Sequence, residues 1–200
     1  MEQKFLINRK TNKISFNDGK SEYDVHKNDK KLEEKFAIVG SRSITDINLV
    51  NLILDSILFI FGKPLQIISG GAIGIDNIGE NWAKENNIDI NIIKPDWIKY
   101  GKKAGFIRNE DIISNCDICI AIWDGSSKGT KHDIELCTKY KKDLILINVS
   151  EYSGDDKIII IYKQYNNTIE IEQDMFKQQP EQHKKHIYNR WLPQPGLIKL

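Results

Sequence analysis

Leu65-Gln-Ile-Ile-Ser-Gly-Gly-Ala-Ile-Gly-Ile-Asp76 is the stretch whose reading decides the fold. Residues 65–69 form a short apolar run of strand length, and Gly70-Gly71 break it. From about residue 74 to 85, Ile75, Ile78, Trp82 and Ala83 recur at helical spacing. A buried strand, a glycine turn and an amphipathic helix in immediate succession make one β–α unit.

The unit repeats on both sides. Phe36-Ala-Ile-Val39 is closed by Gly40, and Ile47, Val50, Leu54, Ile57, Leu58 and Phe61 follow at helical spacing, with Thr45 as the expected cap and Gly62 as the expected end. Residues 88–93 are a third strand, stopped by Pro95. A loop over 96–105 and a helix over about 106–114 lead to a fourth strand, 117–123. A loop over 124–129, a helix over 130–141 and a fifth strand over 143–149 complete the series. Strands apolar on both faces and joined by helices predict a parallel sheet covered on both sides. With right-handed crossovers this is an α/β, Rossmann-like doubly wound sheet in three layers, spanning 36–150. Ligands of such sheets sit outside the C-terminal strand ends, where the glycine-rich loops fall.

The flanks read differently. Residues 1–35 are polar and lysine-rich, and alternation over 4–7 and 13–16 predicts an N-terminal β-hairpin extension. Residues 151–200 repeat the theme, with apolar stretches 158–162 and 168–171 around Asn166-Asn167. A short helix is expected in the tail beyond residue 175.

Composition narrows the class of function. The chain has 200 residues and a net charge of +1, so it carries no general basic excess for coating a polyanion. Only four of its 29 basic residues are arginines, namely Arg9, Arg42, Arg108 and Arg190. The N-terminal MEQKFLINRK holds no apolar core of signal-peptide length, and the apolar run 47–61 is short and carries Asn48, Asn51 and Asp55. A cytoplasmic protein without a membrane span is expected. Three cysteines fit a reducing compartment. Cys116-Asp-Ile-Cys119 starts a strand, where positions three apart face opposite sides, so no metal site and no cofactor are expected.

Four segments carry candidate chemistry. After strand one, Gly40-Ser41-Arg42-Ser43 combines a tight turn, hydroxyls and a planar cation suited to phosphate. After strand two, Gly70, Gly71 and Gly74 expose backbone N–H groups at a helix start that Asp76 joins. After strand four, Asp124, Gly125, Ser126, Ser127, Gly129 and Thr130 make a second such nest, with Lys128 and Lys131 adding charge. Asp124 and Asp133 read as helix caps or as partners of ribose hydroxyls or a general base. His132 reads as a ligand contact or a surface imidazole. Between these loops, Trp97 reads as a core residue or a stacking surface for a base, while Arg108 with Asn109 could reach phosphate or ribose.

Taken in order, these blocks resemble the SLOG superfamily, the Rossmann-like group that includes the DNA-uptake protein DprA and the LOG phosphoribohydrolases. They are most similar to its YspA-like branch in bacteria and phages. The resemblance rests on Gly40-Ser41-Arg42; on Gly70-Gly71-Ala72, Gly74 and Asp76; on Trp97, Tyr100, Gly101, Ala104, Gly105, Arg108 and Asn109; and on Trp123-Asp124-Gly125, Ser127 and Gly129-Thr130-Lys131-His132. It covers roughly 36–150 and implies a nucleotide-derived small-molecule ligand. LOG enzymes hydrolyse the N-glycosidic bond of nucleoside monophosphates with an Arg in a block like Arg108-Asn109 and a Glu three residues after the Gly-Thr pair. Here Asp133 stands at that position, one methylene shorter, and Gly125-Ser126-Ser127 replaces the P-G-G of the enzymes.

The expectation is therefore a nucleotide-ligand module, a sensor or a sequestering protein. The alternative is an N-glycosidic hydrolase or transferase in which Arg108, Asp133 and Asp76 act catalytically. DprA-like single-stranded DNA binding is disfavoured by the net charge, so nucleic acid is not an expected partner. The resemblance implies a homodimer, since LOG-like relatives often dimerise with sites near the interface, and the helix over 47–61 carries more apolar surface than one core needs.

Overall fold

The computed structural model describes residues 2–16, 22–26, 28, 30–152 and 157–165. In chain order its elements are β1 (Glu2–Asn8), β2 (Lys13–Phe16), β3 (Glu22–Asp24), β4 (Lys35–Gly40), α1 (Ile47–Phe61), β5 (Gln66–Ser69), α2 (Ile75–Glu85), β6 (Asp89–Ile92), α3 (Trp97–Tyr100), α4 (Ala104–Asn115), β7 (Ile118–Trp123), α5 (Lys128–Tyr140), β8 (Asp143–Asn148) and β9 (Lys157–Lys163). The strands form one sheet in the order β3-β2-β1-β9-β8-β7-β4-β5-β6.

Strands β6, β5, β4, β7 and β8 are parallel and form the expected α/β centre. Residues alternate across them. Ala37, Val39, Cys119 and Ala121 face Ile112 and Ile113 of α4 and Leu136 and Cys137 of α5. Ile38 points the other way, where its methyl would clash with any side chain at Gly79 of α2. Helices α1 and α2 pack together, as do α4 and α5. The chain runs outward from β4 through β5 to β6, then returns to β7 and runs outward through β8. Order therefore reverses between β4 and β7, and their C-terminal ends open a crevice there.

Beyond β8 the sheet turns antiparallel. The N-terminal hairpin does form, from β1 and β2, and Phe5 meets Phe16 edge-on at 5.2 Å. It joins the main sheet, because β9 pairs with both β8 and β1. The short strand β3 extends it by one more, which the polar sequence Glu22-Tyr-Asp24 does not signal. The expected hairpin partner at 168–171 and the expected tail helix lie outside the described residues.

Three local expectations are corrected. Helix α1 is capped by Asp46, whose Oδ1 accepts from the Leu49 N–H at 3.0 Å; Thr45 stands one residue too early, since the helix starts at Ile47. The 96–105 segment is no loop. Asp96 caps α3 by accepting from the Lys99 N–H at 2.9 Å, and a 3-10 turn over Gly101–Lys103 leads into α4 at Ala104. Helix α5 starts earlier than expected, at Lys128 behind its cap Ser127.

The apolar surplus of α1 is covered within the chain. The His26 ring stands edge-on to Phe59 at 4.5 Å, and Asn28 donates to the Phe59 carbonyl at 2.9 Å. Phe61 meets Phe5 and Tyr162. Among the described residues no helix is long and apolar enough to cross a membrane.

Tyr162 ties β9 to the parallel core. Its hydroxyl donates to Oδ2 of the buried Asp143 at 2.7 Å, while Oδ1 accepts the Tyr165 N–H at 2.7 Å. Replacing Tyr162 by Phe withdraws one donor from a buried carboxylate, a loss of about 1–3 kcal/mol. Urea unfolding of Tyr162→Phe should show a lower midpoint with an unchanged slope. A midpoint equal to that of the native chain would mean Asp143 is held without this bond.

Candidate functional site

The crevice at the β4–β7 reversal is built by three loops and one helix. Ser41, fully buried, holds the first and last loops together. Its N–H donates to the Ile122 carbonyl at 3.1 Å, and its Oγ accepts the Asp124 N–H at 3.1 Å. The same Oγ lies 3.5 Å from the hydroxyl of Thr130. Asp124 shapes the loop after β7 as an Asx turn, accepting the Ser126 N–H at 2.9 Å and the Ser127 N–H at 2.7 Å. Its other oxygen takes the Ser43 hydroxyl at 2.5 Å, a clasp between the two loops. Ser127 then caps α5 through the Thr130 N–H.

The loop after β5 approaches from the side. Gly74 has φ +80° and lies so close to Arg42 that a Cβ would stand 2.7 Å from its backbone. Only glycine fits that conformation and that contact. Helix α2 has no side-chain cap; instead Asp76, in its first turn, reaches back to the Ala72 N–H at 3.3 Å. Deeper in the same helix, Glu80 accepts the buried Ser69 hydroxyl at 2.7 Å.

Arg108 of α4 enters between these loops. Its Nη1 lies 3.4 Å from Asp76 Oδ2, with both side chains nearly buried. It occupies the space beside Gly70, where a Cβ would stand 1.1 Å from Nη1. The guanidinium thus needs a glycine at that strand end. Arg108 Nε and Asp133 Oδ1 are buried and have no hydrogen-bond partner among the described residues.

These groups enclose a cavity of about 390 Å³, a volume within the roughly 300–1,000 Å³ of small-molecule sites. Of the sequence-predicted residues, Gly40, Arg42, Asp76, Arg108 and Asn109 line it, as do Asp124, Ser127, Gly129, Thr130 and Asp133. Ser41 lies beneath the wall, while Gly70, Gly71 and Gly74 shape the turn behind it. Gly125 and Ser126 form the Asx turn. Lys128 points to solvent, and Lys131 pairs with Glu135 at 3.8 Å. His132 is set against Phe106, ring edge to ring at 4.9 Å. Trp97 is 55% exposed on α3 and is not a core residue. Ser43, expected to offer a hydroxyl, lines it too; Val39 and Ala72 also line it, and sequence reasoning missed them as contacts. It also missed Glu80, whose signal is its place one turn after Asp76 on the same helix face.

The electrostatics are uneven. Burial pushes the Asp133 carboxyl up to about 8; nearby Arg108 pulls it down, and Asp76 raises it further. Asp76 is also raised, chiefly by burial, against the opposing pull of Arg108 and the Ala72 N–H. Burial works the same way on Asp124, but the donors from Ser43, Ser126 and Ser127 prevail and hold it well below the usual carboxylate range. Near neutrality the cavity therefore presents a neutral acid (Asp133), two cations (Arg42 and Arg108) and, in Asp124, an ionised carboxylate already occupied by donors.

A buried carboxyl with a raised value makes stability depend on pH. The folded chain keeps a proton on Asp133 that the unfolded chain releases above about 3.8. Stability therefore falls as pH rises from about 4 to about 8. The substitution Asp133→Asn keeps the shape without the titration. Thermal melts should show the variant gaining on the native chain as pH rises toward 8. Parallel curves for the two proteins would show that Asp133 ionises normally.

Crevice, glycine turns and buried Arg–Asp pair together define a Rossmann-like domain with a ligand-sized cavity where its strand order reverses. The model of the YspA, cpYpsA-related SLOG family matches residues 35–100. Gene 61 protein of Mycobacterium phage D29 is 35% identical over 101 residues, which cover 48% of this chain and 81% of that protein. The chain belongs to this SLOG family. Among solved structures, DNA processing protein A from Helicobacter pylori, studied for its single-stranded DNA binding mode, is similar with a TM-score of 0.42 and 23% identity. That match spans 56% of this chain and 64% of that one.

Proposed function

We propose that this chain binds a nucleotide or nucleotide-derived small molecule in the cavity at the β4–β7 crevice, as a sensor or sequestering module. The observation that carries the reading is the lining of that cavity, where the cations Arg42 and Arg108 stand with Ser127, Thr130 and the acid Asp133. The cations offer a phosphate its counter-charge, and the hydroxyl and carboxyl groups offer partners for sugar hydroxyls. Gly129 and Thr130 line the same cavity at the first turn of α5, where backbone N–H groups and the helix dipole favour an anion. Together these suit a phosphate joined to a sugar.

A second reading keeps the same pose and adds hydrolysis. Its support is Asp133, an acid that holds its proton near neutrality and could deliver it to a departing base. Water would add to the sugar carbon as the N-glycosidic bond breaks, giving the free base and a ribose phosphate.

Calorimetry with nucleoside monophosphates, NAD and ADP-ribose should identify a ligand. Gly70→Ala should weaken it about tenfold or more, because the new methyl displaces the guanidinium. The melting point should fall as well, since the displaced guanidinium leaves its nearly buried pairing with Asp76. Arg108→Ala should lose binding as well. Unaltered affinity in both variants would remove Arg108 from the site. Chromatography of the incubated ligand separates the two readings: intact ligand supports binding alone, and free base whose release Asp133→Asn abolishes supports hydrolysis.

A further inference from the structure

Outside the cavity, the segment after β6 carries an unusual surface. Trp97 and Phe106 are 55% and 54% exposed, and Ile98 is fully exposed. Lys94, Lys99, Lys102 and Lys103 are exposed among them, against the single acid Asp96. This segment thus carries a local excess of positive charge in a chain whose net charge is +1. Exposed aromatics interleaved with lysines form a surface complementary to a phosphate chain carrying bases.

This surface adjoins the cavity. The Trp97 ring edge lies 3.6 Å from where a Cβ would stand on Gly105. Gly105 precedes Arg108 by three residues and Asn109 by four, so all three share one face of α4. Arg108 and Asn109 line the cavity. Trp97 therefore stands about one helical turn, roughly 5.4 Å along the axis, outside the cavity wall. Tyr100 is less suited to stacking, since the Lys99 ammonium lies 4.8 Å from its ring centroid. Phe106 already meets His132 edge-on.

We infer that the cavity is the inner half of a longer site, and that its ligand carries a second nucleobase, joined through phosphate, which stacks on Trp97 at the outer half. The inference rests on the nucleotide reading above and narrows its ligand to molecules with more than one base-bearing unit. Such a chain could be a free dinucleotide or a single-stranded nucleic acid. A second copy of the protein is a poorer occupant, because a two-fold contact at this surface would set lysines against lysines.

The test compares the four 5′-ribonucleoside monophosphates with the four 5′-phosphorylated homodinucleotides, NAD and single-stranded homohexamers, each by calorimetry at fixed salt. The expected result is that one dinucleotide or NAD binds at least about tenfold more tightly than the matching mononucleotide, the gain of one stacked base. Trp97→Ala should erase that gain and leave mononucleotide affinity unchanged, while Trp97→Phe restores part of it. A gain complete at two units identifies a small-molecule ligand, and one that grows to the hexamer identifies a nucleic-acid strand; both support the inference. Equal affinity for mononucleotides and dinucleotides overturns it and leaves the cavity reading intact. Absence of binding by every probe overturns the cavity reading itself. A Trp97→Ala variant that changes only the sedimenting mass assigns the surface to a second copy and also overturns the inference.

Discussion

Parallel pairing of β4 with β7 is the interaction on which the rest of the structure depends. The ladder runs from Phe36–Ile118 to Gly40–Ile122, and the Ser41 N–H to the Ile122 carbonyl extends it one step beyond the strand. Residues more than eighty positions apart are thereby brought to one edge. Because the chain leaves β4 in one direction and β7 in the other, no helix fills the gap between their ends. Ser41 and the Ser43–Asp124 clasp hold the two loops around that gap. The cavity follows from topology, and its side chains only decide what it can hold.

What it holds is set by a contest between burial and pairing. Arg108 is the cation between Asp76 and Asp133, and both acids stay raised despite it. A guanidinium cannot shed its charge, so the carboxyls adjust instead. The result is a wall with a fixed positive group and an acid able to donate. Gly70 makes this possible, since any side chain there would exclude the guanidinium. One backbone position thus governs whether the guanidinium can stand beside Asp76.

The parallel centre was legible because its strands are apolar on both faces and its glycines punctuate them. Most of the cavity was legible for the same reason, since the loops after β4, β5 and β7 must meet at one edge once the topology is known. Other features had no local signal. Pairing of β9 with β1 and β8 is long-range, and nothing in residues 157–163 specifies which edge they seek. Helix α3 is four residues long and depends on the single cap Asp96, too brief for periodicity to register. Trp97 reads as core by residue type, yet none of the four residues of α3 is buried. Asp133 illustrates a different gap. Its position could be read from the sequence, but its protonation depends on burial and neighbours that only the fold supplies.

The state of the acids also weighs binding against hydrolysis. Hydrolysis at a sugar carbon needs a base to activate water as well as an acid for the leaving group. Asp133 supplies the acid. For the base, Asp124 is ionised, yet its oxygens already accept from Ser43, Ser126 and Ser127. The charge of Asp76 is shared with Arg108 and the Ala72 N–H, and its raised value weakens it further in the ionised role. Neither carboxylate stands ready to take a proton from water without first giving up a donor that shapes its loop. A Glu in place of Asp133 would reach one methylene farther into the cavity. The shorter acid is withdrawn, with only 5% of its surface exposed, in keeping with a wall that grips a hydroxyl more readily than it drives a reaction.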